Sequence, residues 1–248
     1  MAYKDLYLHN RAEGIREVQL PLVPTQFSLE EIKQHFDQTL QSIEKEYAIA
    51  DSLFSAGRTE EAQTIWRSQV VFLEGLLDFY IHEISKYGLF CMFCGQWEKS
   101  EKYISIKVPM SVVETALVNE ESKKWFFEYL NDFFSRQVFL AEESMRNQLN
   151  LIGIGFGNVM HKAFSKATSN ESQKYGAKIV EDLYKRRNVI AHQNDRDHAS
   201  AKQNSITKGF VEEACRNIVT IVNAIQTIAK EKDEANIAGD KGILRRKV

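Results

Sequence analysis

Residues 59–87, TEEAQTIWRSQVVFLEGLLDFYIHEISKY, carry Ala62, Trp66, Leu73, Leu76, Tyr80, Ile84 and Tyr87 at steps of three, four or seven residues. That spacing lays the seven side chains along one face of a helix. Val70, Val71, Phe72, Leu77, Phe79 and Ile81 widen the apolar surface, so this helix is expected to be the most buried of the chain. Thr59, Glu60 and Glu61 place hydroxyl and negative charge at its start, where free backbone N–H groups favour them.

Working outward, Ser28 with Glu31 three residues on forms a capping box, and a helical run follows to about Ala56. Gly57 ends it, and the short link to Thr59 makes the two helices antiparallel neighbours. Toward the C-terminus, Phe210, Ala214, Ile218, Ile221, Ile225 and Ile228 mark a long amphipathic helix from about Thr207 to Lys232. Trp125, Phe126, Tyr129, Leu130, Phe133 and Phe134 give a broad apolar face over about 120–136, and a shorter helix is expected over about 142–151. Asn170 with Gln173 is read as the cap of a helix with the stripe Gly176, Val180, Leu183 and Tyr184. With only 3 prolines and 12 glycines, the expected class is all-α: a bundle of long antiparallel helices. A short irregular insertion falls at about 89–118, where Ile104, Ile106 and Val108 alternate with polar residues as in an extended segment. The chain divides into a leader (1–27), one helical domain (28–236) and a basic tail (237–248) containing Lys241, Arg245, Arg246 and Lys247.

Net charge is −2, which speaks against non-specific coating of nucleic acid and confines any such site to a local patch. No signal-like or membrane-spanning apolar run is seen, and three cysteines give an odd count, so the expectation is a cytoplasmic chain with no disulfide framework. Cys91 and Cys94 form a CxxC with no second half, and His82 and Cys215 would complete a metal site only through an unforeseen approach; no metal and no cofactor is expected. Gly153, Gly155 and Gly157 lack the dinucleotide-binding spacing and read as a helix break. His9, His35, His82 and His161 stand without a catalytic partner placed by sequence, and His198 reads as a solvated loop residue.

Arg187 falls where the stripe of its helix calls for an aliphatic side chain, so a guanidinium faces the core and needs a partner or a purpose. Asn188 and His192, four apart, share a face, and Lys185 and Arg186 extend the basic cluster. A cation at a helix C-terminus also complements the macrodipole, which accounts for one of these charges without a function.

The string Arg187-Asn188-Val189-Ile190-Ala191-His192, ending the penultimate long helix before a polar loop and a last amphipathic helix, resembles the signature of the HEPN superfamily. Arg186 also satisfies the arginine-to-histidine spacing, although only Arg187 directly precedes the asparagine. Residues 65–78, IWRSQVVFLEGLLD, look like the long early helix of the RiboL-PSP-HEPN and related branches. The resemblance implies a homodimer whose two motifs form a metal-independent endoribonuclease site, of the kind found in toxins and antiviral or abortive-infection effectors. In that reading Arg187, Asn188 and His192 are catalytic, Lys185 and Arg186 bind RNA, and partners are RNA, a second copy, and an antitoxin or regulatory defence subunit. Two alternatives stay open: a non-catalytic dimerisation or nucleotide- or partner-binding module, and an antitoxin-like or nucleotidyltransferase-partner subunit.

Overall fold

The computed structural model describes residues 26–118 and 123–244. Nine helices make up its regular structure: α1 (Leu29–Ser55), α2 (Thr59–Phe93), α3 (Glu101–Ile104), α4 (Met110–Val118), α5 (Lys124–Phe134), α6 (Glu142–Leu151), α7 (Phe156–Phe164), α8 (Ser169–Gln193) and α9 (Lys208–Leu244). Among the described residues the only β-pairing is an isolated bridge between Arg196 and Gln203. The protein is all-α.

Local chemistry explains the boundaries of the main pair. The Ser28 hydroxyl caps the Glu31 N–H while the Glu31 carboxylate reaches back to the Ser28 N–H at 2.7 Å, so free donors of the first turn are satisfied reciprocally. Gly57 takes φ +77°, a conformation side chains resist, and the N–H of Arg58 closes onto the Leu53 carbonyl, reversing the chain into α2. α2 is the spine of the bundle: α1, α5, α6, α8 and α9 all pack on it. Ala62, Trp66, Leu73, Leu76, Tyr80 and Ile84 are buried as their spacing requires, and each large aliphatic or aromatic side chain hidden this way contributes about 1.5–3 kcal/mol. At the centre the Tyr80 hydroxyl donates to Gln226 Oε1 of α9 at 2.8 Å, and the same amide donates to the Leu29 carbonyl of α1 at 2.8 Å. One polar relay therefore fastens three helices without leaving a buried donor unpaired.

Some boundaries differ from the sequence expectation. α2 continues past Tyr87 because Cys91 and Met92 carry the buried face one turn further, and the chain turns only at Gly95, φ +76°. The alternating stretch forms no strand: its first residue, Ile104, ends a single helical turn over 101–104, and 106–109 belong to neither helix nor strand. The turn is capped by the Ser100 hydroxyl, which also bonds the Leu151 carbonyl at 2.6 Å. Alternation has no strand partner to exploit there, whereas the cap satisfies the backbone locally. Thr168 with Glu171, not Asn170 with Gln173, forms the capping box of α8. The glycine run is a helix break: Gly153 ends the chain of α6 at φ +69° and Gly155 caps α7. α9 extends beyond the expected Lys232 to Leu244. Residues 1–25 of the expected leader, and Arg245, Arg246 and Lys247 of the expected tail, lie outside the described residues.

Candidate functional site

α8 packs against α2 and α7, and its last turns hold the whole motif. Its polar, half-buried side reaches α2 at a point where that helix departs from its apolar character: Glu74, Asp78, His82 and Lys86 follow one another at intervals of four. Arg187 is half-buried opposite this stripe. Its Nη1 donates to Asn188 Oδ1 at 2.9 Å, and its Nε is buried without a hydrogen-bond partner. The guanidinium is thus held along one edge, and it lines a groove of about 590 Å³ between α1 and α2 whose wall includes Ser42, Glu46, Phe72, Gly75 and Phe79.

The two carboxyls of the stripe respond to this setting. Burial pushes Glu74 up to about 8, against the opposing pull of the Arg187 charge, with Asp78 adding to the rise. Burial also raises Asp78, while the Phe139 N–H that donates to it at 2.7 Å, His82 and Arg187 all pull the other way. His82 is lowered by burial against the attraction of Asp78, and its Nε2 lies 3.1 Å from the Gln137 carbonyl. His82 therefore has an acidic neighbour and a place in a second cavity of about 330 Å³, bounded by Asp78, Glu83, Lys86 and Asn131.

His192 occupies the final turn of α8, and its side chain is exposed, with no hydrogen bond to another described residue. Five residues at 100° each put it about 140° around the helix from Arg187. The structure thus bonds Arg187 to Asn188, while the helical period turns His192 away from Arg187 and keeps it on the face of Asn188. Arg186 is spent on the fold: both its terminal nitrogens bind the Asp195 carboxylate, and Nη2 also donates to the Ser205 carbonyl at 3.0 Å. Arg67 of α2 completes a buried cluster through Nε to Asp195 Oδ2 at 2.7 Å and Nη2 to the Asn204 carbonyl at 2.7 Å. Asp195 is fully buried, so this cluster ties the polar loop after His192 to α2 and α8. Lys185 is exposed and pairs with Glu181 one turn back.

Asp195, Glu74 and Asp78 were not singled out from sequence. For the α2 carboxyls a signal was present: acids at i and i+4, continued by His82 and Lys86, make a polar row at helical spacing beside the apolar stripe. Nothing local marked Asp195, whose partners lie 9 and 128 residues away. Among the described residues no three His, Cys, Asp or Glu side chains gather to hold a metal. Cys91 is a buried free thiol that burial pushes up to about 12, and Cys94 and Cys215 are also free. No helix of the described residues is long and apolar enough to cross a membrane.

An all-helical bundle with Arg-Asn-x-x-Ala-His closing its penultimate long helix defines a protein of the HEPN class. A family model described as RiboL-PSP-HEPN matches residues 28–231, and the chain belongs to that family. No curated protein and no solved structure matches it.

Proposed function

We propose that the protein is a metal-independent endoribonuclease acting as a homodimer, with Arg187, Asn188 and His192 of each copy in a composite site. The observation that carries the reading is the disposition of the motif. A guanidinium lines an open groove, an imidazole one turn on is exposed and unpaired, and the two diverge around the helix. Divergence within one chain suits a site assembled from two. The exposed strip of Phe72, Gly75 and Phe79 on α2 borders the groove that Arg187 lines, and a second copy seated on it would bring two motifs close.

The chemistry is transesterification. An imidazole takes the proton of the ribose 2′-hydroxyl as that oxygen attacks the adjacent phosphorus, and the bond to the 5′-oxygen breaks as that oxygen is protonated. A 2′,3′-cyclic phosphate and a 5′-hydroxyl result, with no water consumed. Arg187 stabilises the charge that gathers on the phosphate, and Asn188, which accepts from its Nη1, tethers one edge of the guanidinium. In this reading exposed Lys185 steers the RNA backbone, whereas Arg186, bound to Asp195, holds the loop that follows His192.

The test is cleavage of a mixed RNA pool in EDTA by the parent and His192→Ala. His192 is exposed, so the variant should keep its helical spectrum and sedimentation while losing about 10² to 10⁴ in rate. Equal rates for the two, or a strictly monomeric parent that never cleaves, would favour the interaction-module reading.

A further inference from the structure

Two buried polar atoms face the α2–α8 contact without partners. Glu74 is 2% exposed and its Oε2 has no hydrogen bond; Arg187 Nε, opposite it on α8, has none either. Each such atom carries a desolvation cost that an aliphatic side chain at the same place would not. No ion pair within 4 Å joins the two residues, although the arginine's charge acts on the carboxyl. Buried, unpaired polar groups set beside a groove and against a charge of opposite sign are arranged for a change of partner rather than for packing.

We propose that Glu74 is the positioning residue of Arg187: as a neutral carboxyl it leaves the guanidinium to an anion in the groove, and as a carboxylate it draws the guanidinium into an ion pair. The inference deepens the ribonuclease reading and takes from it only that Arg187 receives a phosphate-like anion. Arg187 has the freedom this needs, because its one hydrogen bond, to Asn188, uses Nη1 and leaves Nε and Nη2 for either partner. The surroundings favour the neutral form near pH 7. Burial raises the carboxyl to about 8, Asp78 of α2 adds to the rise, and Arg187 of α8 alone opposes it. Asp78 is in turn faced by His82 and Arg187, and Glu46 of α1 lines the groove. An anion bound by Arg187 cancels the charge that favours ionisation of Glu74, so the anion and the Glu74 proton each strengthen binding of the other.

The probe is sulfate, whose charge is constant from pH 6 to 10, added to the ¹⁵N-labelled full chain. The Arg187 Nε–H resonance, assigned by its loss in Arg187→Lys, reports the site. In the parent it should titrate near pH 8, and sulfate should bind about tenfold more weakly at pH 9 than at pH 7. Both effects should vanish in Glu74→Gln, which keeps the shape of the neutral acid, and Asp78→Asn should move the step to lower pH without removing it. The carboxyl ¹³C signal of Glu74 in the parent supplies the same titration without a substitution. A resonance that does not titrate, or that steps identically in Glu74→Gln, overturns the proposal. Failure of RNA cleavage with the sulfate coupling intact would overturn the ribonuclease reading and leave this one standing.

Discussion

Removal of the Asp195 charge should cost far more stability than an ordinary loop substitution. Asp195 is fully buried, and the side chains of Arg67 and Arg186 that bind it are 8% and 19% exposed. Deleting the anion strands two guanidiniums away from water, for which breaking a buried pair typically costs about 3–5 kcal/mol. Two substitutions divide that figure. Asp195 and Asn194 both sit in the left-handed region, at φ +57° and +50°. Asparagine tolerates that backbone, so Asp195→Asn removes the charge and turns one acceptor oxygen into a donor facing a guanidinium, and should lose about 3 kcal/mol. Alanine does not, so Asp195→Ala should lose about 1–2 kcal/mol more. The assay is urea unfolding followed by helical circular dichroism at a single protein concentration, since any dimer makes stability depend on it. Replacing Arg186 by methionine in the Asp195→Asn background should recover part of the loss, because one stranded charge is gone. If Asp195→Asn unfolds within 1 kcal/mol of the parent, the cluster is not the anchor of the loop described above.

Two glycines on the long helices should respond to alanine with opposite signs. A Cβ on Gly176 would overlap Met160 Sδ and stand 3.0 Å from Met160 Cβ, so Gly176→Ala should lose about 1–3 kcal/mol of stability to strain, less the helix-propensity gain. A Cβ on Gly75 meets nothing within 4 Å, and Gly75→Ala should gain up to about 1 kcal/mol. Stability should also carry the signature of Glu74. Its folded pKa is raised from 4.5 to about 8, so the folded chain keeps a proton that the unfolded chain has released, and stability falls as pH rises through that interval. Unfolding of Glu74→Gln and parent, compared from pH 4 to 9, should show the variant gaining progressively from about pH 4.5 and levelling off above 8. A constant difference would contradict the assignment.

The parts of this fold that were legible in the sequence are those whose cause is local. The Ser28 capping box, the Gly57 reversal and the buried stripe from Ala62 to Ile84 rest on contacts within a turn or on one helical period. The motif was legible for a related reason, since Arg187 interrupts a stripe whose other members lie within a few turns. What escaped depends on approaches between distant segments. Asp195 is defined by Arg67, and the character of Glu74 by burial beneath α8, neither of which has a periodic trace. Residues 104–108 misled because alternation is informative only where a second strand exists to pair with it, and among the described residues none does. The cap of α8 was displaced by two residues because Thr168-x-x-Glu171 satisfies both ends of the box, which Asn170 and Gln173 do not.

The relay from Leu29 through Gln226 to Tyr80 bears on how the chain is made. Its donors and acceptors are separated by as many as 197 residues, and the amide at its centre belongs to α9, which is synthesised well after α1 and α2. Until α9 is synthesised, the faces of α1 and α2 that it covers stay open and the Tyr80 hydroxyl lacks its acceptor. Contacts this remote in sequence form late, after the entropy of closing a long loop has been met. A growing chain therefore carries Arg187 and His192 before α9 has closed over the spine against which α8 packs.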